Sequence, residues 1–360
     1  MRKSILIFFC VATIILTVLS SANAEKTYRW KYNSLWPSGI ALYEADEYFC
    51  ETVNKLSDGK LKIKLYPAGQ LLPGHQNLDA VRKGTIECAG DFGAYWSGKN
   101  TAFDILATTP MGMTWIDYML WIYHGGGQKI YDQIYGEFNC KWLLQNFTPI
   151  EAGFRTNTPI QTLEDYKGLK LRIGSLFGQK ILKKLGASPI LMDGSEVYEA
   201  IAREVVDGAE FSIAAVDWTV GFQEITKYWC APAWYQTAIV LGLIVNEDAW
   251  NELPQNLQNV VVQAARATTA YMSSYYEYGN IEATKKFQNA GVEITHLSKE
   301  SMTRLNTVIE EVLAEEAQKN PDFKMVLQSQ IDFMKDFAPV REYESPYTFG
   351  TNELPIPDIQ

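Results

Sequence analysis

The sequence predicts an α/β fold divided into two lobes, and three observations support this prediction. Apolar strands alternate with amphipathic helices along most of the chain, which is typical of helices packed on sheets. About 336 residues follow a predicted N-terminal signal, more than one simple core usually holds. From Pro254 to about Ala290 the pattern is helical throughout, which indicates a helix long enough to join both lobes.

The first 24 residues have the three parts of a secretory signal peptide. Arg2 and Lys3 precede an apolar run from Ile5 to Leu19, and Ala22-Asn23-Ala24 forms a small-x-small cleavage site. The alternative is a membrane anchor, but the run is short for a span and the cleavage site follows it directly. We therefore predict cleavage after Ala24 and an exported protein.

The net charge and the cysteines limit which partners and which kinds of cross-link the protein can have. The formal net charge of −10 disfavours binding to nucleic acid or to an anionic membrane surface. The cysteines that follow the signal lie far apart and form no C-x-x-C motif, so the sequence allows both disulfides and buried free thiols. They are Cys50, Cys88, Cys140 and Cys230.

The N-terminal block begins with a strand over Thr27–Ser34 and a helix over Ala41–Leu56. A turn then leads into a strand within Asp58–Gly69, where apolar and polar residues alternate with the period of a strand. A short helix ends at Gly84, and a further strand lies near Ile86–Gly90.

The next block starts near Ile150 with a short strand in the stretch PIEAGFRT. A strand over Leu169–Ile173 follows, and Ser175 is a suitable N-cap for a helix over Leu176–Leu185. The remaining predicted elements are a helix from Ser195 to Gly208, a strand over Ala238–Asn246, the long helix, a strand in GVEITHLS, and a last helix over Lys299–Asn320.

These elements suggest how the chain divides between the lobes. We predict one lobe from residues 25–150 and 238–276, and another from residues 151–237 and 277–330. The segment after Pro339 is rich in Pro, Tyr and Gly, so residues 331–360 are predicted to form a C-terminal tail on the surface.

The usual motifs of hydrolases and nucleotide-binding enzymes do not occur in the sequence. It contains no G-x-S-x-G, no P-loop, and no G-x-G-x-x-G after a strand. His75, His124 and His296 are the only histidines, and none is spaced as a metal ligand pair. The composition therefore favours a binding protein over an enzyme.

Arg172 stands at the end of a predicted strand, directly before a capped helix. Ligands of open α/β folds bind at the carboxyl ends of strands and near helix N-termini. A guanidinium can hold a carboxylate through two parallel hydrogen bonds, so this position suits an organic acid. The alternative is a solvated charge on the polar face of an edge strand.

Two acidic residues also come near predicted strand or helix ends. Glu210 follows the stretch VVDGA, and a carboxylate buried there needs a cation or an arginine as partner. Asp217 is interpreted as a residue at the start of a helix.

Several spaced motifs occur in the order found in one family. They are LYPAGQLLPGHQNLDAVRKG, EDYKGLKLRIG, LGASP, SEVYEAIAREVVDG and GLIVNEDAWNELP. In this order and spacing the chain resembles the solute-binding proteins of TRAP (tripartite ATP-independent periplasmic) transporters, the DctP family. The resemblance extends over most of the chain after the signal.

This resemblance implies a two-lobed periplasmic solute-binding protein fold with mixed sheets and a long hinge-spanning helix. It also implies that Arg172 binds the carboxylate of a small organic acid in the cleft between the lobes, and that the membrane permease of the transporter is a partner. Closure over the ligand then presents a surface to that permease.

A narrower resemblance is to the branch that binds 2-oxo acids and lactate, carried by GEFNCKWLLQNFTPIEAGF, DGAEF and KYWCAPAWYQ. In that branch a cation bridges protein and ligand, which implies a Na⁺ or Ca²⁺ cofactor held by Glu210 and by the backbone carbonyl of Phe211. Glu151 occupies the position of a glutamine that touches both cation and ligand.

The same branch implies further substrate-binding residues. Trp234 and Tyr235 match its paired aromatics and Gln236 the acid after them. Tyr95 and Trp96 match pocket walls, and Arg155 is close to a second arginine of some sialic-acid receptors. Compared with that branch, the amide and the carboxylate have exchanged places between positions 151 and 236. The number of oxygen ligands available to a hard cation is therefore the same. Alternatively, Glu151 pairs with Arg155 or Arg172 and no metal binds.

The sequence thus predicts a periplasmic receptor for a 2-oxo, 2-hydroxy or aromatic carboxylate, and not an enzyme. The rival hypothesis is an exported enzyme of similar two-lobed fold that acts on an organic acid. A homodimer is implied by the 2-oxo acid branch, whose members pair through C-terminal helices. The sequence does not specify the ligand itself.

Overall fold

The computed structural model describes residues 26–192 and 194–344. The predicted signal peptide and the last 16 residues of the predicted tail lie outside this part of the chain. Within it, no helix combines the length and apolar character needed to cross a membrane.

One mixed sheet is built largely from the N-terminal part of the chain. Its strands are β1 (Tyr28–Asn33), β2 (Leu61–Tyr66), β3 (Cys88–Asp91), β4 (Cys140–Thr148) and β10 (Ile239–Asn246). The order is β2-β1-β3-β10-β4, with β10 antiparallel to both of its neighbours. Every residue of β10 is buried, which explains its continuous apolar sequence. We refer to this sheet and the helices packed on it as the first lobe.

A second mixed sheet carries the residues around Arg172. Its strands are β5 (Phe154–Thr156), β6 (Lys170–Arg172), β7 (Ser188–Ile190), β8 (Gly208–Ala209), β9 (Tyr228–Ala231) and β11 (Glu293–His296). The order is β11-β9-β5-β8-β6-β7. Arg155 and Arg172 both pair in register with Ala209, on opposite sides of β8. This sheet and its helices form the second lobe, and the two sheets confirm the predicted α/β fold.

Helices of different lengths cover the faces of both sheets. They are α1 (Ala41–Leu56), α2 (Asn77–Arg82), α3 (Ala102–Ala107), α4 (Trp115–Tyr123), α5 (Gly127–Gly136), α6 (Leu176–Lys184), α7 (Val197–Ala202), α8 (Ala214–Val220), α9 (Glu247–Asn251), α10 (Gln255–Asn289), α11 (Lys299–Ala317) and α12 (Pro321–Glu344). The prediction for α1 is confirmed at both ends. The N-cap prediction is also confirmed, because Ser175 Oγ accepts the Gly178 N–H of α6 at 3.0 Å.

The long helix α10 belongs to both lobes. In the first lobe it packs on α1 and β4, and Ser273 Oγ accepts the backbone N–H of Phe147 at 3.0 Å. In the second lobe it packs on α8, where Asn280 Oδ1 accepts the Ala215 N–H at 3.0 Å. The predicted long helix is therefore present, and it crosses between the lobes as expected.

Residues 331–344 of the predicted tail form the end of α12, which continues to Glu344. Pro321 is the first residue of the helix, a favourable position because a proline there loses no helical hydrogen bond. Phe323 and Val326 are fully buried as α12 packs on α3 and α5 of the first lobe. Pro339 lies inside the exposed last turns and does not end the helix.

Each of the cysteines that follow the signal is a buried free thiol in the structure. The alternative of a disulfide framework, which the sequence allowed, is therefore not realised in the described residues. The thiols pack as small apolar groups; Cys50 and Cys88, for instance, belong to one apolar cluster of the first lobe.

Candidate functional site

Arg172 is buried at the end of β6, with 6% of its surface exposed, so the alternative of a solvated edge charge is wrong. Its Nη1 donates to the side chain of Glu210 at 2.7 Å and to the backbone carbonyl of Glu210 at 2.9 Å. Its Nε and Nη2 both donate to the Met192 carbonyl, at the longer distances of 3.4 and 3.3 Å. The guanidinium is thus held firmly on one edge and loosely on the other.

Glu210 follows directly after β8 and is also buried. Its Oε1 accepts hydrogen bonds from Arg172 and from the backbone N–H of Gly174. A Cβ at Gly174 would lie 3.3 Å from that oxygen and 3.4 Å from Arg172 Nη2, so glycine permits the close approach. Burial raises the pKa of Glu210, and the charge of Arg172 opposes this rise.

A second ion pair lies on the other side of β8. Arg155 Nε donates to Asp217 Oδ2 at 2.8 Å, and both side chains are fully buried. The guanidinium carbon of Arg155 lies 4.2 Å from the ring centre of Trp229 and 4.1 Å from that of Phe287. Neither Nη of Arg155 has a hydrogen-bond partner among the described residues.

Asp217 has the structural role that the sequence indicated, because it lies in the first turn of α8 and its Oδ1 accepts the Ser212 N–H at 3.0 Å. Its ion pair with Arg155 was not predicted. Burial raises the pKa of Asp217 to about 7, against the opposing effect of Arg155. Burial also lowers the pKa of Arg155.

Glu151 lies on the segment that crosses from β4 to β5, and its backbone N–H donates to the carbonyl of Gln236 on the return crossing at 3.2 Å. The side chain is buried, and no donor among the described residues reaches either carboxylate oxygen. The alternative that Glu151 pairs with Arg155 or Arg172 is therefore wrong, since those arginines pair with Asp217 and Glu210.

The pKa of Glu151 is raised well above its ordinary value, first by burial and then by the negative charges of Glu210 and Asp217. Arg172 opposes this effect but does not cancel it. The charge of Glu210 thus disfavours a second negative charge on Glu151. A cation between them would relieve the same repulsion.

These groups fit a hard cation. The two oxygens of Glu151 and the Oε1 of Gln236 are buried without partners, and all are oxygen donors of the kind that Na⁺ and Ca²⁺ prefer. The described residues contain no group of three or more His, Cys, Asp or Glu side chains placed to hold a metal. Backbone oxygens, such as that of Phe211, and ligand oxygens would have to complete the coordination shell.

The aromatic residues of the return crossing are buried between the lobes. Trp234 Nε1 donates to the hydroxyl of Tyr166 at 2.9 Å, and the Trp234 carbonyl accepts the Met111 N–H at 2.7 Å. Tyr235 packs its ring on Phe154 with a centroid distance of 4.9 Å. The Tyr235 hydroxyl has no hydrogen-bond partner among the described residues.

The two predicted pocket walls of the first lobe differ from each other. Trp96 is buried, and its Nε1 donates to Asp91 at 2.6 Å. Tyr95 is 38% exposed and packs edge-on against Phe92. Their contact with a ligand stays a prediction, because the polar group of Trp96 is already used inside the first lobe.

The sequence reasoning missed one residue that joins the lobes beside this site. Asp104 of α3 is fully buried, and its Oδ2 accepts the Leu176 N–H at the start of α6, at 2.8 Å. Burial raises the pKa of Asp104 to about 7. The signal was a single acid in the apolar stretch AFDILA, which is unusual unless the carboxyl group has a partner.

Comparison with known proteins gives matches along most of the chain. Residues 32–320 match the family described as bacterial extracellular solute-binding protein, family 7, also called DctP. A monocarboxylate 2-oxoacid-binding periplasmic protein of Nostoc sp. is 30% identical over 320 residues, which are 89% of this chain and 88% of the relative.

Solved structures of TRAP periplasmic solute-binding proteins have the same fold. One from Bordetella bronchiseptica, a dimer with calcium and picolinate in an active site, has a TM-score of 0.85 at 28% identity and covers 89% of this chain and 96% of its own. One from Pseudoalteromonas atlantica, with bound sodium and pyruvate, has a TM-score of 0.84 at 27% identity, with coverages of 89% and 98%. A third, from Colwellia psychrerythraea with calcium and pyruvate, has a TM-score of 0.85 at 26% identity, with coverages of 89% and 98%.

Proposed function

Because the chain belongs to the DctP family of bacterial extracellular solute-binding proteins, we propose that it is the periplasmic receptor of a TRAP transporter for a small 2-oxo, 2-hydroxy or aromatic carboxylate. The family consists of transport proteins and not of enzymes. The proposal rests on two neighbouring buried groups. One edge of the Arg172 guanidinium makes only long hydrogen bonds, and the Glu151 carboxylate receives no hydrogen bond among the described residues.

Arg172 binds the ligand carboxylate in this proposal. Its Nε and Nη2 form the side-on edge of the guanidinium, and in the structure both point to one carbonyl oxygen, that of Met192, at 3.3–3.4 Å. Hydrogen bonds of this length are weak, so a carboxylate with two oxygens can replace them with two shorter, charge-assisted bonds. The short bond to Glu210 meanwhile fixes the orientation of the guanidinium.

Glu151, Glu210, Gln236 and the carbonyl of Phe211 would hold the cation. When bound, Na⁺ or Ca²⁺ supplies positive charge that balances the ligand carboxylate and the two glutamates in a site without solvent. Relatives with sodium or calcium beside a small carboxylate support this assignment. The donor set of this chain has a carboxylate at Glu151 and an amide at Gln236.

The remaining predicted site residues complete the pocket. Trp234 contributes an apolar wall at the junction of the lobes, and Tyr95 and Trp96 contribute one from the first lobe. Arg155 is buried with its Nη groups free of acceptors, so it adds positive potential and can donate to a second ligand oxygen.

The membrane permease subunits of the transporter are the proposed partner, and delivery of the ligand to them is the proposed outcome of lobe closure. We also propose a homodimer formed by the C-terminal helices. Ile331, Val340 and Tyr343 of α12 support it, because they are 37%, 44% and 84% exposed although they are large and apolar. The dimer of the Bordetella relative is consistent with this.

Substitution Arg172→Lys tests the carboxylate site, because lysine keeps the charge but loses the side-on pair of donors. With pyruvate and Ca²⁺ or Na⁺, we expect the ligand-induced rise of the melting temperature to disappear and the affinity to fall by at least about 30-fold, or roughly 2 kcal/mol. Arg203→Lys, at an exposed arginine, is the matched control. An unchanged response of Arg172→Lys would contradict the proposed function.

A further inference from the structure

Tyr235 has a buried hydroxyl that the fold itself does not use. The side chain is completely buried, and Oη has no hydrogen-bond partner among the described residues. Buried hydroxyl groups are nearly always hydrogen-bonded, so one without a partner needs an explanation. Either the unpartnered hydroxyl simply destabilises the fold, or it forms a hydrogen bond with a bound molecule that is not part of this chain.

The ring of Tyr235 is fixed in place by its surroundings. It lies 4.9 Å from the ring of Phe154 and 5.3 Å from that of Trp234, measured between centroids. The next residue, Gln236, accepts the backbone N–H of Glu151 at 3.2 Å. Tyr235 therefore belongs to the same wall as the unpartnered Glu151 carboxylate.

The chemical state of this hydroxyl is clear. Burial raises the pKa of Tyr235 well above its ordinary value, and the nearby charges of Glu151 and Glu210 raise it further. An ordinary tyrosine hydroxyl already titrates only near pH 10, so the group is a neutral hydrogen-bond donor at physiological pH. Tyr235 directly precedes Gln236, one of the proposed cation ligands, and the charges of Glu151 and Glu210 act on its hydroxyl.

Tyr166 is a useful contrast in the same aromatic cluster. It is also buried, and its hydroxyl accepts the Trp234 Nε1–H at 2.9 Å. Its hydroxyl thus has a role inside the fold, whereas the hydroxyl of Tyr235 has none. The two buried tyrosines differ in whether the hydroxyl is hydrogen-bonded within the fold. Comparing them therefore separates a role in stability from a role in ligand binding.

We propose that Tyr235 Oη donates a hydrogen bond to the acceptor atom on carbon 2 of the ligand and so selects 2-oxo and related acids over unsubstituted carboxylic acids. This inference rests on the proposed function, because it takes the ligand carboxylate to lie on Arg172. The aromatic acids of the proposed class fit when they carry an acceptor, such as a ring nitrogen, next to the carboxylate.

The test compares acids that differ only at carbon 2. Pyruvate is paired with propionate, and phenylpyruvate with 3-phenylpropionate, each titrated calorimetrically with Ca²⁺ or Na⁺ present. We expect Tyr235→Phe to reduce the preference for the 2-oxo member by about tenfold and to leave the affinity for the unsubstituted acid within about twofold. Tyr166→Phe should keep the wild-type preference.

The melting temperature without ligand is the second readout. Tyr235→Phe should melt at or above the wild-type temperature, because it removes a buried hydroxyl that has no partner, whereas Tyr166→Phe should melt lower. An unchanged preference in Tyr235→Phe, or a loss of stability equal to that of Tyr166→Phe, would overturn the inference. If wild-type protein bound the 2-oxo and the unsubstituted acids equally well, this inference alone would fail; if it bound none of the four, the proposed function would fail with it.

Discussion

The two lobes both bury carboxylates, but they surround them with different groups. In the first lobe, Asp91 accepts hydrogen bonds from Trp96, Tyr135 and Trp142 at 2.6–2.9 Å, all of them neutral donors. Asp46 of the same lobe accepts from Tyr32 and Ser34, each at 2.6 Å. In the second lobe, Glu210 and Asp217 each face an arginine.

Asp46 and Asp91 also differ from the cluster around the arginines in the number of polar atoms that lack a hydrogen-bond partner. Each oxygen of Asp46 and of Asp91 has a partner within the fold. Around the arginines, by contrast, both oxygens of Glu151, both Nη groups of Arg155, and the Tyr235 hydroxyl have none among the described residues. A saturated carboxylate holds its own lobe together, whereas an unsaturated cluster is prepared for atoms that come from elsewhere.

The largest expected effect on stability is at Asp91. Asp91→Asn replaces one acceptor oxygen with a donor that faces buried donors, so we expect the free energy of unfolding to fall by about 3 kcal/mol or more. Urea denaturation measures it. Asp79→Asn is the control, because Asp79 is 41% exposed and its pair with Lys99 should contribute less than about 1 kcal/mol. Equal losses in the two variants would show that the Asp91 carboxylate does not hold the first lobe together.

The buried acids of the first lobe also predict the pH dependence of stability. Burial raises the pKa of Asp46 to about 6 and that of Asp104 to about 7, from an ordinary value of 3.8. At a pH between 3.8 and the raised pKa of each group, the folded chain binds more protons than the unfolded chain. The free energy of unfolding therefore decreases as pH rises through this range. Each group contributes at most about 1.4 kcal/mol per pH unit.

Chemical denaturation of the ligand-free protein between pH 5 and pH 8 checks this sign. Asp104→Asn should reduce the slope, because the amide does not titrate while it can still accept the Leu176 N–H through its oxygen. The partly exposed Lys180 contributes a favourable charge near Asp104 throughout this range, which limits the effect. A free energy of unfolding that increased with pH over this range would be contrary to the prediction.

The local parts of the fold could be predicted from the sequence. The ends of α1 and the Ser175 cap depend on residues close together in the chain, so periodicity and capping preferences suffice. The continuation of α12 through Pro339 was missed, because its stability comes from packing of Phe323 and Val326 on the first lobe, which no local pattern shows.

The sequence allowed the residues of the site to be predicted, but not which of their side chains pair with each other. Arg172 and Glu210 are 38 positions apart and meet because β6 and β8 are neighbours in the sheet. Arg155 and Asp217 are 62 positions apart; Arg155 gives its Nε–H to Asp217, and none of its nitrogens bonds to Glu151. The isolation of Glu151 is thus a property of the tertiary structure, and it decides what the site can bind.

The most direct test of the central claim is calorimetric titration of wild-type protein and Glu151→Gln with pyruvate, with Ca²⁺ present and then with a chelator. The account predicts that wild-type protein loses most of its affinity with the chelator, and that Glu151→Gln binds weakly in both conditions. It also predicts that Glu151→Gln is about 1 kcal/mol more stable without ligand, since an unpaired buried carboxyl group is removed. Cation-dependent binding that persists in Glu151→Gln, together with a loss of stability like that of Asp91→Asn, would show that Glu151 is a structural acid and would contradict the account.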